Sequence, residues 1–252
     1  MQVLGIDIGG SGIKGAPVET TTGELQDERF RVKTPSPSTP KAVVNAVDEV
    51  ARHFSWKGPI GIGFPGVVRR GVIGTAANLD NSWEGQNAEE AIARKTGCPV
   101  VIVNDADAAG LAEVKFGGGG SEPGVVIVVT IGTGIGTAVV SNGAVVPNTE
   151  LGHMFNSKGV DWELLVSEAA KKREDLKWAE WVKRLNAYLK DLCFFMNPDR
   201  IIIGGGVSRK FEKYGSDICC EVPVVPAQLR NLAGIIGAAL YAEQRLGAQV
   251  PA

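Results

Sequence analysis

Asp7-Ile8-Gly9-Gly10-Ser11-Gly12-Ile13-Lys14-Gly15 is the stretch on which the reading of this chain turns. The β-branched run at residues 3–8 feeds into it, glycines turn the chain, and residues 13–18 resume apolar character. That is the pattern of a strand, a tight turn and a second strand. Glycines at a strand end let backbone N–H groups approach an anion, and an aspartate there can hold Mg2+ through water. The spacing is not GxxxxGK[ST]. A strand rather than a helix follows, so the GxGxxG dinucleotide context is excluded too. Alone, the stretch reads equally well as a plain glycine hairpin. A second copy changes the balance: Thr130-Ile131-Gly132-Thr133-Gly134-Ile135-Gly136-Thr137-Ala138, with Ile131-Gly132 superposing on Ile8-Gly9 at an offset of 131 minus 8, or 123 residues. That period is close to half the chain and implies two similar α/β halves. Two such hairpins, one per half, can turn their backbone N–H groups onto a single polyphosphate tail.

Between and around the hairpins, strands alternate with helices, which places the chain in the α/β class. Residues 29–32 can add a third antiparallel strand. Thr39 is the expected cap of a helix over 40–54, with Val43, Val44, Val47, Val50 and Ala51 on one face. Residues 59–64, 99–103, 125–131 and 200–203 read as strands; 88–96, 106–116 and 231–246 read as helices. Apolar positions from Trp178 to Leu192 keep helical spacing within an amphipathic helix predicted over 174–195. Residues 117–121, GGGGS, read as a flexible loop of no assigned function.

Composition narrows the classes. Of 252 residues 33 are glycine, clustered rather than periodic, which excludes a collagen-like chain. With 44% hydrophobic residues and a formal net charge of -2, disorder is excluded and a nucleic-acid or membrane-surface role is not expected. No apolar run approaches the ~20 residues of a membrane span. The N-terminus lacks a basic leader, and Cys98, Cys193, Cys219 and Cys220 form no CxxC pair, so a reducing cytoplasmic compartment is expected.

Three further constellations carry chemistry. Asn104-Asp105 follows a strand whose carboxyl end is where open α/β sheets bind ligand. An ionised aspartate there can accept a hydroxyl proton; Asp105 or Asp107 can instead simply cap the helix that follows. Glu150-Leu151-Gly152-His153 has a spacing that puts both side chains on one helical face. With only two histidines, and no cysteine between 98 and 193, a four-ligand zinc site there is not expected. Gly204-Gly205-Gly206 ends an apolar strand, either as a plain strand-to-helix turn or as the place where an adenosine lies.

Together these residues resemble the ROK-family sugar kinases of the actin/hexokinase superfamily, and within them the polyphosphate-using glucokinase branch. The similarity runs through DIGGSGIKG (7–15), GFPGVV (63–68), TAANLDNSW (75–83), VNDADAAGLAE (103–113), TIGTGIGTA (130–138), PNTELGH (147–153), IIIGGGVS (201–208) and PAQLRNLAGIIGAA (226–239). The third and last of these point to the polyphosphate branch. The resemblance implies an actin-like, hexokinase-type α/β fold of two similar halves with a cleft between them. It divides the chain into an N-terminal domain, 1–107 plus a C-terminal helix at about 232–252, and a larger domain, 108–231. It implies transfer of a phosphoryl group from inorganic polyphosphate, and ATP as well, to the 6-hydroxyl of glucose, with Mg2+ and as a homodimer. Asp105 falls on the catalytic base; Gly66, Asn78, Asn104, Glu150, His153 and Glu163 fall on sugar contacts. Asp7, Gly9, Gly10, Ser11, Gly12, Lys14, Thr130, Gly132, Thr133, Gly134, Gly204, Gly205 and Gly206 fall on phosphate and nucleotide contacts, with Asp7 holding Mg2+ through water. Many members carry zinc-binding cysteines after the ELGH segment; residues 154–159 here hold none, so zinc is not expected.

The alternatives are a strictly ATP-dependent hexokinase of the same family and a non-catalytic sugar-binding relative. Sugar-sensing repressors of the family carry a DNA-binding domain ahead of the first hairpin, for which seven residues leave no room. A phosphate polymer needs an extended basic groove, and residues 158–191 hold a run of cations, but the donor expectation rests on the resemblance and not on charge. There Lys158, Lys171, Lys172, Arg173, Lys177, Lys183, Arg184 and Lys190 are nearly cancelled by seven acids, the composition of a solvated mixed-charge face.

Overall fold

The computed structural model describes residues 1–119 and 124–247. It divides into two compact units, Met1–Ala112 with the chain from Asn231 onward, and Glu113–Arg230. In chain order the elements are β1 (Gln2–Gly9), β2 (Gly12–Glu19), β3 (Glu24–Leu25), β4 (Phe30–Val32), α1 (Pro40–His53), β5 (Ile60–Phe64), β6 (Val68–Arg69), β7 (Val72–Ile73), α2 (Ala88–Thr96), β8 (Val100–Asn104) and α3 (Asp105–Phe116). Then follow β9 (Val125–Ile131), β10 (Ile135–Ser141), β11 (Ala144–Val146), α4 (Glu163–Val166), α5 (Glu168–Arg173), α6 (Trp178–Met196), β12 (Arg200–Gly205), β13 (Val224–Pro226) and α7 (Ala233–Gly247).

The first unit's sheet runs β3-β2-β1-β5-β8, with β4 also paired to β2; the second unit's runs β11-β10-β9-β12-β13. Each is an antiparallel glycine hairpin continued by two parallel strands. The repeat predicted from the two hairpins is therefore a repeat of sheet topology.

Period-two alternation gives the first sheet two different faces. Leu4, Ile6, Ile60 and Ile62 enter a fully buried cluster with Val43, Val47 and Val50 of α1. Their neighbours Gly5 and Gly61, register partners on β1 and β5, lie under α7. A Cβ there would fall 2.0 Å from the Ile235 carbonyl oxygen and 1.9 Å from that of Ala238. These glycines serve helix-on-sheet contact, not ligand binding. In the second unit, Ile127, Val129 and Ile131 face α6 through Trp181, Leu185 and Leu189, while Val126 and Val128 face Val114 and Val225.

Several local expectations are corrected. Thr39 occupies the N-cap of α1 but its side chain makes no cap hydrogen bond; Pro40 at the first helical position sets the entry instead. The helix predicted over 174–195 is α6, which starts only at Trp178; residues 174–177 separate it from α5. Asp175 adopts a left-handed φ of 49° and Lys177 is extended, so the chain leaves helical geometry between them. The GGGGS stretch is not a slack loop over Gly117–Gly119. A Cβ at Gly117 would meet the Glu113 carboxylate, and one at Gly119 the Val114 backbone. Gly120 and Ser121, like residues 248–252 of the predicted C-terminal segment, lie outside the described residues.

Candidate active site

The β1–β2 hairpin closes on Gly9 opposite Gly12, which puts Asp7 opposite Lys14. Their side chains pair at 3.5 Å. Burial pushes the Asp7 carboxyl up, and Lys14 and then Arg29 pull it back. Gly10 and Ser11 at the tip make no backbone hydrogen bond from their N–H groups among the described residues. Arg31, paired across strands with Lys14, donates to the Ser11 carbonyl at 2.7 Å and lies against Gly12. Gly10 packs on Asn78, whose backbone sits at φ 62°. Gly10, Ser11 and Asn78 are walls of one cavity of about 480 Å3. Among the described residues no cluster of three His, Cys, Asp or Glu side chains is arranged to hold a metal. A lone carboxylate such as Asp7 suits Mg2+, which keeps most of its waters and takes its other ligands from substrate phosphates.

At the carboxyl end of β8 the cap of α3 comes from the residue ahead of Asp105. Asn104 Oδ1 accepts the N–H groups of Ala106 (2.9 Å) and Asp107 (3.0 Å), so Asn104 caps α3. Its Nδ2 donates to the Gly66 carbonyl at 3.1 Å. One amide hydrogen of Asn104 remains for a ligand. Gly66 has no room for a side chain, its Cβ position being 2.0 Å from the Thr75 carbonyl oxygen. Asn104 thus ties that glycine turn to the start of α3. Asp105, the first helical residue, accepts its neighbour Ala106 N–H on Oδ1 at 2.8 Å, which orients the carboxylate.

In the second unit the hairpin tip is Gly132-Thr133-Gly134. The N–H groups of Thr133 and Gly134 make no backbone hydrogen bond among the described residues. A Cβ at Gly132 would touch nothing within 4 Å, so no packing contact of the protein demands glycine there. A small residue at an open tip with spare N–H groups is what an anion cradle requires. Gly205 differs: its φ of 75° and a Cβ position 2.3 Å from the Ile131 carbonyl oxygen give it a structural cause. Gly204 packs on Thr130, and Gly206 abuts the Glu168 carboxylate; the chain then enters a 3-10 segment, Gly206–Lys213.

Glu150 and His153 do not share a helical face, because Leu151–His153 is a single 3-10 turn with Glu150 as its N-cap. They nonetheless belong to one carboxylate group. His153 Nδ1 lies 2.9 Å from Asp161 and its Nε2 4.0 Å from Glu163. The Asp161 hydrogen bond, reinforced by Glu163 and Glu150, holds the imidazole pKa above its ordinary value against desolvation. Desolvation raises the Glu150 carboxyl, with His153 opposing. Glu163 accepts Ile135 N–H at 2.8 Å, bracing the hairpin. Asp161, against His153, and Arg31, against the first hairpin tip, are contacts that the sequence reading does not include. The available signals were the Asp-x-Glu spacing behind His153 and the cross-strand position of Arg31 opposite Lys14.

Residues 3–160 match the ROK family model. The chain is 47% identical over 238 residues to a polyphosphate glucokinase of Mycobacterium tuberculosis (strain ATCC 25618 / H37Rv), covering 94% of this chain and 89% of that protein. Its structure is similar to that of an inorganic polyphosphate/ATP-glucomannokinase from Arthrobacter sp. strain KM, with TM-score 0.87, 42% identity and coverage of 97% and 99%. A ROK family glucokinase from Streptomyces griseus, solved with glucose and AMPPNP, matches with TM-score 0.80 at 26% identity, covering 97% and 100%. The fold is the hexokinase-type α/β fold of these kinases, and the chain belongs to the ROK family.

Proposed function

We propose that this chain phosphorylates glucose at its 6-hydroxyl, taking the terminal phosphoryl group of inorganic polyphosphate and also that of ATP. The observation that carries the reading is the 47% identity to a polyphosphate glucokinase over 94% of the chain. The arrangement at β8 supports the acceptor chemistry: Asn104 caps the helix, and Asp105 takes the hydroxyl proton as the 6-oxygen attacks phosphorus. The new P–O bond forms as the terminal phosphoanhydride bond breaks, and the donor leaves one phosphate shorter. Such transfer asks for alignment and for stabilisation of charge on the phosphoryl oxygens. The spare N–H groups of each hairpin tip, and Lys14 beside the first, are suited to that. Bound Mg2+, held through water by Asp7, would neutralise donor phosphate charge. Asn78, Glu150 and His153 are the proposed ligands of the sugar hydroxyls, with Glu163 bracing the second hairpin beside them. Gly204–Gly206 remains the proposed adenosine position.

A homodimer and a cytoplasmic location belong to the same proposal. Phe194 and Phe195 on α6, 76% and 64% exposed, support a subunit contact. The reading is tested by incubating the protein with glucose, Mg2+ and nucleotide-free polyphosphate and following the product by phosphorus NMR. Glucose 6-phosphate is expected; phosphate released to water, or a sugar phosphorylated elsewhere, would sink the assignment.

A further inference from the structure

Residues 158–191 carry the ion pairs of the mixed-charge face read from the sequence. There Lys172 pairs with Glu168, Arg173 and Arg184 with Glu174, and Lys171 caps the Leu176 carbonyl over the Trp178 ring. A different row of cations runs along β4 and the residue on either side of it, with Arg31 inside the strand. Arg29, Arg31 and Lys33 are exposed, while Phe30 and Val32 between them pack on the first unit's core and Thr34 is buried. The alternation fixes all three cations on one outward face of the strand. Alternate residues of a strand stand about 7 Å apart, so the row covers about 14 Å.

Among the described residues none of the three is within 4.0 Å of a carboxylate, although Asp27 and Glu28 are adjacent in sequence. The row is continuous with the first hairpin. Arg31 is bonded to the Ser11 carbonyl, and Lys33 lines the same cavity as Gly10 and Ser11. Asp80 also lines this cavity, and its Oδ1 accepts the Ser82 N–H at 2.9 Å and the Ser82 hydroxyl.

We propose that Arg29, Arg31 and Lys33 form a polyanion track that holds the distal phosphates of an inorganic polyphosphate chain whose reacting end lies at the first hairpin. This rests on the polyphosphate reading above and says where the polymer runs. A triphosphate anchored at the hairpin is too short to engage all three cations, whereas a long chain carries a negative charge past each of them. Guanidinium and ammonium groups bind phosphate oxygens by charge-assisted hydrogen bonds without demanding a fixed register. Binding of this kind weakens steeply with salt, as for any polyanion that sheds counterions.

The test titrates the full chain with long-chain polyphosphate and with tripolyphosphate at several salt concentrations. It compares wild type, Arg29→Gln/Lys33→Gln and the charge-keeping Arg29→Lys/Lys33→Arg. The glutamine pair should lose about tenfold in affinity for the long chain, with a flatter salt dependence. Tripolyphosphate binding should stay within about twofold, and the charge-keeping pair should bind as wild type does. Unchanged long-chain affinity, or equal loss for both ligands, would overturn the track and leave the row as a solvated guard on an edge strand. Glucose 6-phosphate formation by wild type separates the two ideas. If it forms from polyphosphate while the glutamine pair binds normally, only the track falls. If wild type binds the long chain through these residues but forms no product from it, only the donor reading falls.

Discussion

A carboxylate at the start of a helix is available as a base only if another group caps that helix, and Asn104 is that group here. Asp105→Asn keeps the Oδ1 acceptor for Ala106 N–H but removes the basic oxygen. Turnover should fall ~10²–10⁴-fold with an unchanged melting temperature; near-normal turnover would remove Asp105 from the chemistry. His153 offers a pH test. Its folded pKa lies above the 6.5 of the free imidazole, so its stabilising contribution is complete below that value and is lost as pH rises through the raised one. Asp161→Asn should return the His153 titration, followed by NMR, toward 6.5. Its stability deficit against wild type should shrink as pH is raised. The Asn104-Asp105 pair was legible as a candidate because a strand ends there, but not the division of labour, which depends on which side chain reaches the Ala106 and Asp107 N–H groups. Asp161 was hidden because its partner is reached by a turn rather than by a periodic spacing.

Elements were legible where their pattern is local. Hairpins, buried strands and most helices follow from period and glycine placement, and the start of α6 is set four residues too early because nothing in the apolar spacing marks the left-handed Asp175 and the extended Lys177. Long-range packing left no such trace. Glu113, 2% exposed on α3, accepts the N–H groups of Gln228 and Leu229 at 2.9 and 2.7 Å and that of Gly118 at 3.3 Å. That clasp gives the glycine run after α3 a packing role and ties it to the PAQLR segment. Glu113→Ala should cost about 1–3 kcal/mol by orphaning buried donors, read as a lower urea midpoint; no change would mean the donors find water. Gly61→Ala, which drives a methyl into the Ala238 carbonyl beneath α7, should destabilise by at least as much. A Gly61→Ala variant as stable as wild type would contradict the close helix-on-sheet contact.

For the whole molecule, two sheets of the same strand order each present a glycine hairpin at the carboxyl ends of parallel strands, and the repeat at residues 8 and 131 was the sequence trace of that duplication. Glycine abundance had a mixed cause: Gly132 leaves open space, whereas Gly5 and Gly61 only let α7 approach. If the exposed Phe194-Phe195 pair is a subunit contact, light scattering should give twice 26.5 kDa for wild type, and Phe194→Ser/Phe195→Ser should shift it toward the monomer mass. A wild-type monomer would contradict the dimer. The donor decides the account as a whole. Glucose 6-phosphate formation is to be measured on one preparation, first with nucleotide-free long-chain polyphosphate and then with ATP. Product from polyphosphate without nucleotide is expected; product from ATP alone would overturn the polyphosphate assignment.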